Sequence, residues 1–299
     1  MSDTKIVAVF PGQISFVPQL GLQLLESSEN VRKSVAISSK YSNIDMMSLL
    51  ENPVSLSRPS LVQPMMTALC LGAYFDLHAH IPIDTLIGFA DGEVAAWGVS
   101  GSITPMDAIR FALVQGRILE SESPKKSGRM VAIRGDVKLF QGALELGREY
   151  GDVYVAGQYH PRECVFGGSN AAIQAIQQAF RGKILPVTGP WNTPLMEGAY
   201  RQLQRYVSNI AAKDAKIPIV TNSTGLPTTK SEELQKCILE QLIKPIQWLS
   251  CIQSVPPNSI FVTIGFHQHL EQLIRRNSNN RVLPATSISA IRAIAKRSK

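Results

Sequence analysis

Apolar and polar positions along the chain follow two periods, one suited to strands and one to helices, and the two alternate. Near the N-terminus Ile6-Val-Ala-Val-Phe10 is an unbroken apolar run, the pattern of a strand covered on both faces. Ile217-Pro-Ile-Val-Thr-Asn222 and Phe261-Val-Thr-Ile-Gly265 are further β-rich runs, and Asp84-Thr-Leu-Ile-Gly-Phe89 leads into a good helix start at Glu93-Val-Ala-Ala-Trp97. Strands separated by helices imply a parallel sheet. Between residues 129 and 188 the order changes to strand (130–133), helix (137–149), strand (153–156), strand (164–166), helix (170–180) and strand (184–187). That βαββαβ order is the ferredoxin-like unit. The pattern predicts an α/β chain in which residues 1–128 and 189–299 form a large parallel-sheet domain, interrupted by a small ferredoxin-like subdomain at 129–188.

A chain of 299 residues has room for such a pair, and 44% apolar with 18% charged residues is ordinary for a globular protein. No apolar run approaches the ~18 residues of a membrane span, and Met-Ser-Asp-Thr-Lys leads directly into the first strand. Neither a span nor a secretory signal is therefore expected. Cys70, Cys164, Cys237 and Cys251 are widely spaced without a Cys-x-x-Cys pair, the usage of reduced thiols in a cytoplasmic protein. Buried structural cysteines are expected at Cys70 and Cys164 rather than nucleophiles.

Net charge is +7, and the basic residues gather late, at Arg275, Arg276, Arg281, Arg292, Lys296, Arg297 and Lys299. They read as a solvated terminal helix over 287–296 whose Ile and Ala residues pack one face, or as a surface for an acidic partner. Nucleic acid is not expected as a partner, because the basic residues are not interleaved with aromatics and no nucleic-acid motif is present.

Gly88-Phe-Ala-Asp-Gly92 has the outline of the Gly-x-Ser-x-Gly nucleophile elbow, in the strand-turn-helix context such an elbow needs. Ala90 stands at the serine position. A methyl group has no lone pair and no ionisable proton, so it cannot form a covalent acyl intermediate.

The elbow does not stand alone. Pro11-Gly12-Gln13, Arg58-Pro-Ser-Leu-Val-Gln63-Pro64 before an apolar helix, Gly189-Pro-Trp-Asn-Thr-Pro-Leu-Met196 and Leu242-Ile-Lys-Pro-Ile-Gln-Trp248 occur in order with the strands at 217–222 and 261–265. Together they resemble the malonyl-CoA:acyl-carrier-protein transacylase family over about residues 5–276, with Gly92-Glu-Val-Ala-Ala-Trp-Gly98 similar to the malonyl transferase subunit of malonate decarboxylases. The resemblance implies an α/β-hydrolase-like large domain with an inserted ferredoxin-like subdomain. It implies acyl carrier protein or acyl-CoA as partner, with a coenzyme A thioester as ligand and no covalently bound cofactor.

The departures from the family pattern concern its chemistry. The family's Gly-His-Ser-x-Gly-Glu becomes Phe89 and Ala90 at the His and Ser positions, and the second histidine, the general base, becomes Asn192. An amide nitrogen is not a base near neutral pH. The arginine that pairs a malonyl carboxylate maps onto Gln115, which carries no charge for a bidentate ion pair. The oxyanion donors map onto the backbone N–H groups of Gln13 and Asp91 and are expected to survive, with the Asp91 side chain capping the helix that follows. Gln63, Phe89, Gln115, His160 and Trp191 complete the candidate substrate site, where Phe89 and Trp191 favour an apolar acyl group over malonate.

Two functions fit these residues. One is a catalytically inactive homologue that binds an acyl thioester, a carrier protein or a partner enzyme. The other is an active acyltransferase or acyl-thioester hydrolase in which Ala90 is an engineered replacement of serine and His267 or His160 supplies the base. The pairs His78/His80 and His267/His269 have no third ligand near them in sequence, so a metal site is not expected.

Overall fold

The computed structural model describes residues 4–51, 58–126, 128–265 and 269–297. Strand β1 (Ile6–Phe10) is buried along its whole length, as its unbroken apolar run requires. Helices α1 (Pro18–Ser27), α2 (Glu29–Ser42), α3 (Met46–Glu51) and α4 (Pro59–His78) follow. The Ser28 hydroxyl starts α2 by accepting from the Val31 N–H, and Asn43 ends it in the left-handed conformation. α4 begins at Pro59, where a missing N–H has no helical partner to lose, so Gln63 and Pro64 lie inside the helix rather than in a loop before it. Most of α4 is buried, which explains its lack of a polar face. Strand β2 (Thr85–Gly88), α5 (Gly92–Val99) and α6 (Pro105–Lys126) close the first half.

Residues 128–184 then form β3 (Gly128–Arg134), α7 (Val137–Tyr150), β4 (Val153–His160), β5 (Glu163–Ser169), α8 (Asn170–Phe180) and β6 (Lys183–Ile184). The strands pair antiparallel in the order β4-β5-β3-β6, the arrangement expected of a ferredoxin-like unit. Asp136 and Ser169 cap the two helices by accepting from the N–H groups of Leu139 and Ala172. Phe140, Ile173 and Ile176 from these helices pack on Val131, Ile133, Val153 and Phe166 of the sheet. β6 is shorter than its apolar run predicts, because Pro186 has no N–H for the ladder.

The chain returns through α9 (Glu197–Val207), β7 (Ile219–Val220), β8 (Pro227–Thr228), α10 (Ser231–Glu240), α11 (Trp248–Gln253), β9 (Ile260–Ile264), α12 (His269–Asn277), β10 (Arg281–Ala285) and α13 (Ile288–Arg297). The large sheet runs β10-β9-β1-β2-β7-β8, parallel throughout except for the antiparallel edge strand β8. Successive residues of a strand face opposite sides. Ala8, Phe10 and Leu86 join one apolar cluster with α4, whereas Val7, Val9 and Ile87 join another that includes Met130, Ala156 and Val165 of the small sheet. The two sheets thus share one core. In α13, Ile291 and Ile294 are buried, which gives that helix the packed face expected of it.

Candidate functional site

Strands β1 and β2 pair in parallel with Phe10 opposite Gly88. Their carboxyl ends therefore release Pro11-Gly12-Gln13 and Phe89-Ala90-Asp91 side by side, at the edge where open α/β sheets bind ligands. The turn is tight. A Cβ on Gly88 would lie 2.1 Å from the Glu93 nitrogen, and one on Gly92 would lie 2.5 Å from the Phe10 carbonyl oxygen. Only glycine lets the strand, the turn and α5 approach so closely. Ala90 is held at φ 52°, left-handed backbone that costs an L-residue roughly 1–2 kcal/mol. The elbow geometry is thus present in full with a methyl group at its tip.

Three buried polar groups brace this turn. The Glu93 carboxylate accepts from the Asn222 backbone N–H at 3.0 Å and from the Asn222 side-chain amide. The same amide donates to the Ala90 carbonyl at 3.1 Å and to Gln241 Oε1 at 3.4 Å. Asn192 is also left-handed, at φ 59°, and its Nδ2 donates to the Gln241 carbonyl oxygen at 2.6 Å. Asn222 and Gln241 therefore connect the nucleophile position to the base position. Glu93, enclosed by apolar neighbours on α5, has its pKa pushed up to about 7 by burial, against the opposing hydrogen bonds from Asn222. The sequence signal for this brace was a lone carboxylate beside Val94-Ala-Ala-Trp97; its partners at 222 and 241 had none.

Asp91 corrects an expectation. Its side chain makes no capping bond to α5. Instead Oδ1 accepts the Gln13 backbone N–H at 2.9 Å, so one of the two anion-binding donors expected to stand open already holds an internal carboxylate. Loss of hydration raises the Asp91 pKa to about 6, while hydrogen bonds from the Gln13 and Asp91 N–H groups work in the other direction. Pairing across the sheet competes with capping and wins, because the β1 to β2 register brings residue 13 to residue 91.

The other candidate residues separate into groups. Gln115 and Gln63 are both buried and meet through Gln115 Nε2 and Gln63 Oε1 at 3.3 Å, linking α6 to α4. Phe89 is buried, edge-on to Tyr159 with ring centroids 5.1 Å apart and to Trp248 at 4.8 Å. Its ring thus joins β2 to β4 and α11, an aromatic contact that the sequence did not reveal. Trp191 is half-buried and packs against both apolar clusters of the large sheet. A cleft of about 810 Å³ opens between the two sheets, lined by Phe89, Ile14, Tyr159, Arg181, Lys183 and Arg276 among others. His160 lines an adjoining, smaller cleft with Arg134, Arg162 and Arg276, and its Nδ1 accepts from the Arg162 N–H at 3.0 Å. His267 lies outside the described residues.

All four cysteines are buried free thiols whose pKa values burial pushes up, and burial is the state expected of Cys70 and Cys164. Among the described residues no group of three or more His, Cys, Asp or Glu could hold a metal ion, and no helix is long and apolar enough to cross a membrane.

The acyl transferase domain family matches residues 7–295. The polyketide biosynthesis protein ThaF of Burkholderia thailandensis is 26% identical over 282 residues, which cover 90% of this chain and 24% of ThaF. The malonyl CoA-acyl carrier protein transacylase of Bacillus subtilis is 24% identical over 300 residues, 96% of this chain and 94% of that protein. The chain thus spans about a quarter of the first relative and nearly all of the second. Among solved structures, the malonyl CoA-acyl carrier protein transacylase of Coxiella burnetii superposes with a TM-score of 0.93 at 21% identity, covering 99% of this chain and 98% of that one. A malonyl-transacylase solved in complex with a type II polyketide-synthase acyl-carrier protein gives 0.90 at 20% identity, covering 98% and 100%. At these identities the structural likeness establishes the fold.

Proposed function

The chain belongs to the acyl transferase domain family, and from that premise we propose that it is a malonyl-CoA:acyl-carrier-protein transacylase-like protein that binds an acyl thioester or acyl carrier protein without transferring the acyl group. Its place is regulatory or scaffolding, beside the enzymes of fatty acid or polyketide synthesis. The observation that carries this reading is Ala90, which keeps the left-handed backbone of an elbow but offers no oxygen or sulfur to an acyl carbon. Asn192 supports it, since its amide is already donated to the Gln241 carbonyl and an amide cannot take a serine proton. The pairing of Gln115 with Gln63 supports it too, since neither side chain offers positive charge to a malonyl carboxylate.

The cleft of about 810 Å³ beside Phe89 leaves room for a ligand, which supports retained binding. Groups that act as a unit in catalysis lose most of the rate with the first removal, so three neutral replacements abolish transfer no more severely than one. Intact-protein mass spectrometry after incubation with malonyl-CoA and acetyl-CoA tests the reading, together with calorimetric titration of the same ligands and of holo acyl carrier protein. Saturable binding with no mass adduct is expected. An acyl adduct, or acyl transfer to the carrier protein, overturns it.

A further inference from the structure

The carboxylate of Asp91 has no counterpart in the requirements of the turn. Helix α5 is not capped by it, and no ion pair to it is found among the described residues. What it meets is the backbone N–H of Gln13, which donates to Oδ1 at 2.9 Å. That donor belongs to the pair with which a nucleophile elbow polarises an acyl oxygen, the N–H of the residue after the nucleophile and one from a neighbouring loop after another strand. Close packing fixes the arrangement. A Cβ placed on Gly12 would lie 3.0 Å from Asp91 Oδ1 and 3.3 Å from the Ala90 methyl, so glycine, methyl and carboxylate converge on one small volume.

We propose that Asp91 is a specificity-determining residue whose carboxylate fills the anion seat beside Ala90, so that the site recognises the thiol-bearing carrier arm of its ligand and not the acyl oxygen. This rests on the reading that the cleft takes a coenzyme A or carrier-protein ligand. Two anionic or strongly electron-rich oxygens cannot share the Gln13 N–H, because like charges at hydrogen-bond range repel and a donor makes one strong bond. A thioester carbonyl therefore gains nothing on entering. Two protonated neighbours, Cys70 on α4 and Tyr159 on β4, offer no competing positive charge.

Titration calorimetry with free coenzyme A and with acetyl-CoA distinguishes this from a merely structural role. The unmodified chain should bind the two within about threefold of each other. Asp91→Ala vacates the seat and should prefer acetyl-CoA by about tenfold, the worth of one well-made hydrogen bond to an activated oxygen. Asp91→Asn keeps an acceptor for the Gln13 N–H and the shape of the side chain without the charge, and should behave like the unmodified chain. An Asp91→Ala protein with the same ratio as its parent overturns the proposal, as does a parent that already prefers acetyl-CoA tenfold. Where Asp91→Ala fails to fold, Asp91→Gly replaces it with the same expectation. Absence of coenzyme A binding to all three proteins sinks both this proposal and the function on which it rests, whereas equal ratios with tight binding sink this one alone.

Discussion

Ala90 and Asn192 occupy left-handed backbone for different reasons, and the difference has measurable consequences. Asparagine tolerates that region and uses its amide to hold the Gln241 carbonyl at 2.6 Å. Asn192→Ala should lower stability by about 2 kcal/mol in urea unfolding, since both the hydrogen bond and the backbone tolerance are lost. Restoring chemistry takes more than one atom: Ala90→Ser alone should leave malonyl transfer at background in a carrier-protein assay, because Asn192 supplies no base to the new hydroxyl. Glu93 makes a third prediction, on pH. Its folded pKa, about 7, exceeds its ordinary value of 4.5, so between these limits the folded chain holds a proton that the unfolded chain has released. This contribution to stability therefore falls as pH rises from about 4.5 to about 7 and stays low above, a loss of roughly 3 kcal/mol. Glu93→Gln removes the ionisation while keeping an acceptor for the Asn222 N–H. Its stability relative to the parent should grow between pH 5 and pH 8 in parallel thermal melts; a constant difference would mean that Glu93 is already hydrated.

At the scale of elements, the site depends on how β2 ends. Phe89 points away from the α4 side of the sheet into the core shared with β4 and α11, where Tyr159 and Trp248 meet its ring edge-on. Phe89→Ala should cost about 3–5 kcal/mol by denaturant titration, the range for deleting a buried aromatic ring, and should loosen the small sheet as well as the large one. This residue also marks where sequence reading stops. The apolar run ahead of Gly88, the glycines of the elbow and the alternation of β4 and β5 were visible because each is a local pattern of period 2 or a steric requirement of one turn. The bond from Gln13 to Asp91 was not, since it arises from parallel pairing between segments 78 residues apart in sequence, and the aromatic cluster was not, since Phe89, Tyr159 and Trp248 come from three distant segments; nothing local encodes either. Local propensity even pointed the wrong way at Asp91, a favoured capping residue that the sheet register turned toward another partner.

For the whole molecule, the distribution of charge around the cleft decides what can enter it. A net charge of +7 is spread unevenly, and Glu163 neutralises part of the local excess by accepting from Arg134 at 3.1 Å and Arg276 at 2.9 Å. Arg276 belongs to the basic C-terminal stretch, so some of those residues serve to bind α12 to the small sheet instead of waiting for a partner. Arg181 and Lys183 remain exposed at the mouth, on the small-sheet side. Both lie within about a Debye length of anything lodged in the cleft, so their attraction for the phosphates of a coenzyme A or the acidic surface of a carrier protein should be strong in dilute buffer and weak in salt. If the ligand enters between the two sheets, Arg181→Ala together with Lys183→Ala should weaken coenzyme A binding by about tenfold at low ionic strength. The same pair should flatten the dependence of affinity on salt. Binding that is unchanged by both substitutions, yet still screened by salt, would place the phosphates at another basic surface, with His160, Arg134 and Arg162 around the smaller cleft the next to be tested. Affinity indifferent to every substitution at residues 90 and 91 would point the same way.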